Sequence, residues 1–111
     1  MRSDRARLED ILEMCRNLSE HVAGRADALA SDPVLLAATQ RWIEIIGEAA
    51  ASLSDELRDA HPAAPWRGAI GMRNILAHGY FHVDIDLIRR VVEHDAPSIE
   101  RDVARILGEL R

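Results

Sequence analysis

The fold predicted for this chain is an all-α bundle, and three observations lead to it. Apolar residues recur at helical spacing in the first and last parts of the sequence. Three helix-start signals, at Asp32-Pro33, Ser54 and Asp84, divide it into segments of helical length. Hydrophobic residues make up 48% of the chain, yet Trp42, Trp66, Tyr80 and Phe81 are its whole aromatic set. The core is therefore aliphatic and alanine-rich, which suits packed helices. With 111 residues, the chain is read as a single domain spanning 1–111, with one core and little to spare.

In the first segment Leu8, Ile11, Leu12, Cys15, Leu18 and Val22 form one stripe of an amphipathic helix running from about Asp4 to Val22. Cys15 lies on that stripe as a small buried filler, and as the lone cysteine it excludes an internal disulfide. Gly24 and the small and polar residues after it are expected to loosen the chain. At Asp32-Pro33 a carboxylate can cap free amides while proline takes the first helical position, so a second helix should run to about Ser52. Trp42, Ile43, Ile45, Ile46, Ala49, Ala50 and Leu53 are too many for one narrow face. Such a helix is buried on two sides, either as a central core helix of a monomer or against its own core and a partner chain, and the surplus around Ile43 and Ile46 favours the partner chain. Gly47 and the alanines at 49–51 are small enough to permit close helix approach.

Ser54 opens a short helix to Ala60, and His61-Pro62-Ala63-Ala64-Pro65 breaks the pattern. A further helix starts at Trp66, which anchors it in the core, and runs to Ala77. Gly79 is placed to end it, because glycine enters the left-handed conformation without a Cβ penalty. After Val83, Asp84 caps a long last helix whose stripes are Ile85, Ile88, Val91 and Val92, then Ile99, Val103, Ile106 and Leu110. Pro97 should kink or interrupt it, since proline lacks an amide and crowds the preceding turn. The result is four main helices plus a short one.

Charge and composition narrow the function. The net charge of −5 argues against broad, nonspecific nucleic-acid binding, which draws its affinity from neutralised phosphates. A local basic groove remains open, and Arg67, Arg73, Arg89 and Arg90 are its candidates. All 14 basic residues are arginine, which removes lysine as a base or nucleophile. Glu44 and Glu48 sit four apart but lack a third ligand at diagnostic spacing, and His21, His61, His82 and His94 are scattered. No metal site or cofactor is expected. No apolar run approaches the roughly eighteen residues of a membrane span, and the arginine-rich start lacks a secretory core, so a cytoplasmic protein is the expectation.

The densest chemistry lies in Gly71-Met72-Arg73-Asn74-Ile75-Leu76-Ala77-His78-Gly79-Tyr80-Phe81. Arginine is a permanently charged planar fork suited to phosphate, and histidine moves protons near neutral pH. Arg73 and His78 are five residues apart, about 140° around a helix. They meet only if the helix unwinds before His78 or if two copies of the motif face each other across a symmetric contact. The second arrangement predicts a homodimer.

The spacing R-x4-H-x-Y, as Arg73, His78 and Tyr80, resembles the signature of HEPN-domain proteins of the HepT type. So, in the same order, do Arg41-Trp42-Ile43-Glu44-Ile45-Ile46-Gly47-Glu48-Ala49-Ala50, Leu53-Ser54, His61-Pro62, Pro65-Trp66-Arg67 and Tyr80-Phe81-His82-Val83-Asp84. The resemblance covers essentially the whole chain. One departure is Arg89-Arg90, where similar proteins carry an aromatic. The resemblance implies a HEPN-like up-and-down bundle, dimeric, and the toxin of a bacterial toxin–antitoxin pair. Its activity would be that of a metal-independent endo- or exoribonuclease, with tRNA or mRNA as substrate. It also implies a nucleotidyltransferase antitoxin of the MntA type, which transfers AMP from ATP to the motif tyrosine. Mapped here, Arg73 would hold the scissile phosphate and His78 would act as acid or base. Tyr80 would accept AMP, and Asn74 would give polar support. The alternative is a non-catalytic helical dimer that binds a nucleotidyltransferase or a nucleotide.

Overall fold

The computed structural model describes residues 2–75 and 84–110, and every regular element among them is helical. Helix α1 spans Asp4–His21, with the Ser3 hydroxyl accepting from the Ala6 amide. Its buried face is Leu8, Ile11, Cys15 and Leu18, the predicted stripe. The stretch after Gly24 is more ordered than its composition suggests. It winds into a 3-10 helix over Ala23–Ala30, broken at Arg25 (φ −130°, ψ 24°), because Ala26 and Leu29 are drawn into the core.

Helix α2 spans Pro33–Ala51 and opens as its sequence dictates. One Asp32 carboxylate oxygen accepts from the amides of Val34 (3.1 Å) and Leu35 (3.0 Å). Inside the helix Thr39 is fully buried, and its hydroxyl donates to the Leu35 carbonyl at 2.7 Å, so no polar atom is stranded. Ile43 and Ile46 are 0% exposed within the single chain. This corrects the expectation that they carry surplus apolar surface for a partner. Helix α2 packs against both α1 and the fourth helix, so Ile43, Ile46 and Ala50 are covered by their own chain, while Trp42, Ile45 and Ala49 stay half-buried. Each of those isoleucines contributes about 1.5–3 kcal/mol by burial.

The short helix α3, Asp55–Ala60, is capped by the Ser54 hydroxyl, which accepts from the Leu57 amide. Ser54 is in turn held by α1. Its amide donates to one Asp4 oxygen at 2.9 Å and its hydroxyl to the other at 2.6 Å. Arg7 adds a bond of 2.6 Å to the Ser52 carbonyl, fastening the start of α1 to the end of α2. Across the proline break, the Trp66 indole donates to the His61 carbonyl at 2.9 Å. That bond lets a large ring with one polar atom start helix α4, Trp66–Ile75, from inside the core.

The last helix is three pieces. Helix α5, Ile85–Arg90, is capped by Asp84, which accepts from the Leu87 amide. A π-helical turn follows over Val91–Asp95, and α6 runs from Ala96 to Glu109 with Pro97 in its first turn. The expected interruption therefore takes the form of a widened turn, in which the Ala96 amide bonds back to the Val91 carbonyl. A proline in regular α-helix would crowd the carbonyl four residues earlier, and the wider turn relieves that clash. Where an aromatic was expected, Arg89 instead pairs with Asp27 of the 3-10 segment and with Glu93.

Candidate functional site

Helix α4 carries the motif arginine. Its buried residues Trp66, Ala69 and Met72 recur every third position, and Ala69 and Met72 are 1% exposed. Arg73 and Asn74 follow directly and are both exposed. Arg73 is thus divided between two environments. Its backbone lies in the contact between α4 and α2, and its side chain reaches solvent. A Cβ built on Gly47 of α2 would stand 2.5 Å from the Arg73 amide nitrogen, 2.8 Å from its Cβ and 3.0 Å from its Cα. The helices meet backbone to backbone at this point.

The small residues of α2 signalled a close helix approach in the sequence. The partner they approach is α4 of the same chain, at the motif residue itself. His78, Gly79 and Tyr80 lie outside the described residues, and so does the question of how His78 meets Arg73.

Of the arginines named for a basic groove, Arg67, Arg73, Arg89 and Arg90, the last two stand among carboxylates. Arg67 and Arg73 are six residues apart on α4, about 120° from each other around the axis. Arg89 is neutralised by Asp27 and Glu93. Arg90 borders a recess shared with Asp86, Glu93, His94 and Asp95, where carboxylates offset the arginines. Linear nearness of arginines does not reveal these acidic neighbours.

Other polar features are occupied by the scaffold. A groove of about 540 Å³ between α1 and α2 holds Arg2, Arg7, Arg41 and Glu48 over Met14, Ile45 and Ala49. It contains no motif residue, and its arginines already bond to Asp10, to the Ser52 carbonyl and to Glu44. Glu44 is accordingly arginine-paired, as the sequence suggests. Burial pushes the Cys15 thiol up to about 12, with Glu100 adding to the effect. Cys15 is then a neutral core residue. Among the described residues no three His, Cys, Asp or Glu side chains gather into a metal-binding group, and no helix is long and apolar enough to cross a membrane.

Comparison with known proteins finds relatives over nearly the whole chain. A protein of Caldanaerobacter subterraneus named "Putative RNase" is 40% identical over 108 residues, covering 96% of each chain. The "Probable ribonuclease HepT" of Thermococcus cleftensis is 34% identical over 100 residues, 89% of this chain and 91% of that protein. No solved structure gave a significant match. The family model described as ribonuclease HepT-like matches residues 7–106, which takes in most of the helical scaffold and the motif. The chain belongs to the HepT-like ribonuclease family.

Proposed function

We propose that this protein is a metal-independent ribonuclease that acts as a homodimer, with Arg73 and His78 as its catalytic residues. The observation that carries the reading is the way α4 presents Arg73, with its backbone fixed against α2 and its guanidinium side chain in solvent within a chain of this family. Cleavage without a metal proceeds by attack of a ribose 2′-oxygen on the adjacent phosphorus. The P–O bond to the 5′-oxygen breaks, leaving a 2′,3′-cyclic phosphate and a 5′-hydroxyl. His78 takes the 2′-proton, and a protonated His78, of the same chain or its symmetry mate, supplies the proton for the leaving oxygen. Arg73 neutralises charge on the non-bridging oxygens, where a planar fork gives two parallel hydrogen bonds. Asn74, exposed beside it, supplies polar support. The 140° divergence of Arg73 and His78 favours a site assembled from two copies.

In this reading the protein is the toxin of a toxin–antitoxin pair, and its partner is a nucleotidyltransferase that attaches AMP to Tyr80. The added phosphodiester brings one negative charge and a bulky adenosine close to the arginine meant for substrate phosphate. It therefore competes for the fork and repels the RNA backbone.

One set of assays tests this. Purified protein, with its mass in solution recorded by light scattering, is incubated with RNA in the presence of EDTA. Cleavage persists, and Arg73→Ala and His78→Ala reduce it by about 10²–10⁴-fold while keeping the helical circular dichroism. Co-expression with the nucleotidyltransferase adds one AMP and stops cleavage, and Tyr80→Phe gains none. Abolition by EDTA, wild-type rates in both variants, or a mass of one chain would each break its part of the reading. A folded dimer that binds the nucleotidyltransferase and cuts no RNA would instead establish the binding module.

A further inference from the structure

We infer that Gly47 is a positioning residue for Arg73, and that the absence of a side chain at position 47 sets where the guanidinium stands. The inference rests on the reading of Arg73 as the phosphate-holding residue. Glycine inside a helix costs stability relative to alanine, yet α2 carries a buried one in its C-terminal third. Its φ is not positive, so no left-handed conformation calls for glycine here. What calls for it is space. The nearest atoms to a Cβ at position 47 are the Arg73 amide nitrogen at 2.5 Å and the Arg73 Cβ and Cα at 2.8 and 3.0 Å.

These atoms belong to helix backbone or to its first side-chain carbon, and no rotamer change moves them aside. A methyl group at 47 therefore shifts α4 as a body. Three of the other glycines make useful contrasts. A Cβ at Gly68 or Gly71 of α4, or at Gly108 of α6, meets nothing within 4 Å. Among the described glycines, the tight contact falls only where α2 passes the motif arginine. Because Arg73 follows the buried pair Ala69 and Met72, its backbone cannot swing independently of the helix. A displacement of the α4 backbone by about 1 Å carries the guanidinium with it, and a misplacement of that size can cost about 10²-fold in rate.

The test compares Gly47→Ala and Gly68→Ala with wild type in steady-state RNA cleavage, alongside Arg73→Ala. Gly47→Ala is expected to lower kcat by about 10–100-fold with little change in KM, because an arginine acting on the transition state is misplaced while the remaining RNA contacts persist. Gly68→Ala retains wild-type kcat. Placed in the Arg73→Ala background, Gly47→Ala adds no further loss, as required of two residues acting through one group. Helical circular dichroism fixes the folded fraction. If it falls, the same proteins are assayed in sucrose, which strengthens burial.

A folded Gly47→Ala with wild-type kcat, or additive losses in the double variant, overturns the inference while leaving the Arg73 reading intact. A Gly47→Ala that folds in neither solution also overturns it, because the glycine then serves the fold alone. If Arg73→Ala cuts RNA at the wild-type rate, the functional reading itself has failed and the inference falls with it.

Discussion

Helix α2 makes two contacts of different kinds. Its Ile43, Ile46 and Ala50 join Leu8, Ile11, Cys15 and Leu18 of α1 and Trp66, Ala69 and Met72 of α4 in one apolar cluster. At Gly47, by contrast, the backbones of α2 and α4 meet directly at Arg73. In the first contact side chains separate the helices, so a changed volume is felt mainly as lost packing and partial rearrangement of neighbouring side chains. In the second no such layer exists, and any added atom is transmitted to the helix that carries the motif. Apolar burial is concentrated in the side-chain contact, and the closest approach to Arg73 in the backbone contact.

The largest expected effect breaks the first contact. Ile46→Ala removes a fully buried side chain and should cost about 2–5 kcal/mol in chemical denaturation, from lost transfer energy and the cavity left behind. Cleavage per folded molecule should stay close to wild type. A tenfold loss in the folded fraction would show that the two contacts of α2 are not separable.

A smaller effect comes from the helix start. Asp32 bonds two free amides of α2, so Asp32→Ala should lower stability by about 1 kcal/mol and leave kcat unchanged. The measurement is the denaturation midpoint at constant slope. No change in midpoint would mean that α2 is held by packing alone.

The smallest effect depends on pH and sharpens the α1 side. Hydrogen bonds from the Ser54 hydroxyl and amide, with help from the Arg7 charge, hold the Asp4 carboxyl below the usual carboxylate range against a small opposing effect of burial. A folded-state pKa below the unfolded one stabilises the protein above the unfolded value of about 4, and that stabilisation is lost as pH falls through the folded value. Wild type should therefore exceed Asp4→Asn in stability at neutral pH, and the gap should close as the pH drops below about 4. A gap independent of pH would remove the charge from the latch between α1 and α3.

Much of this architecture was legible from local signals. Asp32, Ser54 and Asp84 cap the helices they were expected to cap, since a capping bond involves only residues two or three apart. The α1 stripe and the burial of Cys15 follow from helical periodicity, and Pro97 marked its interruption because the clash is with its own preceding turn. The motif suggested a site, but helical arithmetic could say only that Arg73 and His78 diverge, and His78 lies outside the described residues.

What the chain could not disclose is which surface each long-range feature would meet. The apolar arc of α2 is the same sequence whether a second chain or α4 covers it, and the tertiary structure gives Ile43 and Ile46 to the chain's own core. The arginines near the motif are equally basic on paper, and only folding brings Asp27 across 62 residues to neutralise Arg89. A glycine in a helix marks a close approach without naming its partner. That the partner is the backbone of Arg73 was decided by the packing of α2 on α4, because a contact between helices distant in sequence is set by which faces are buried together.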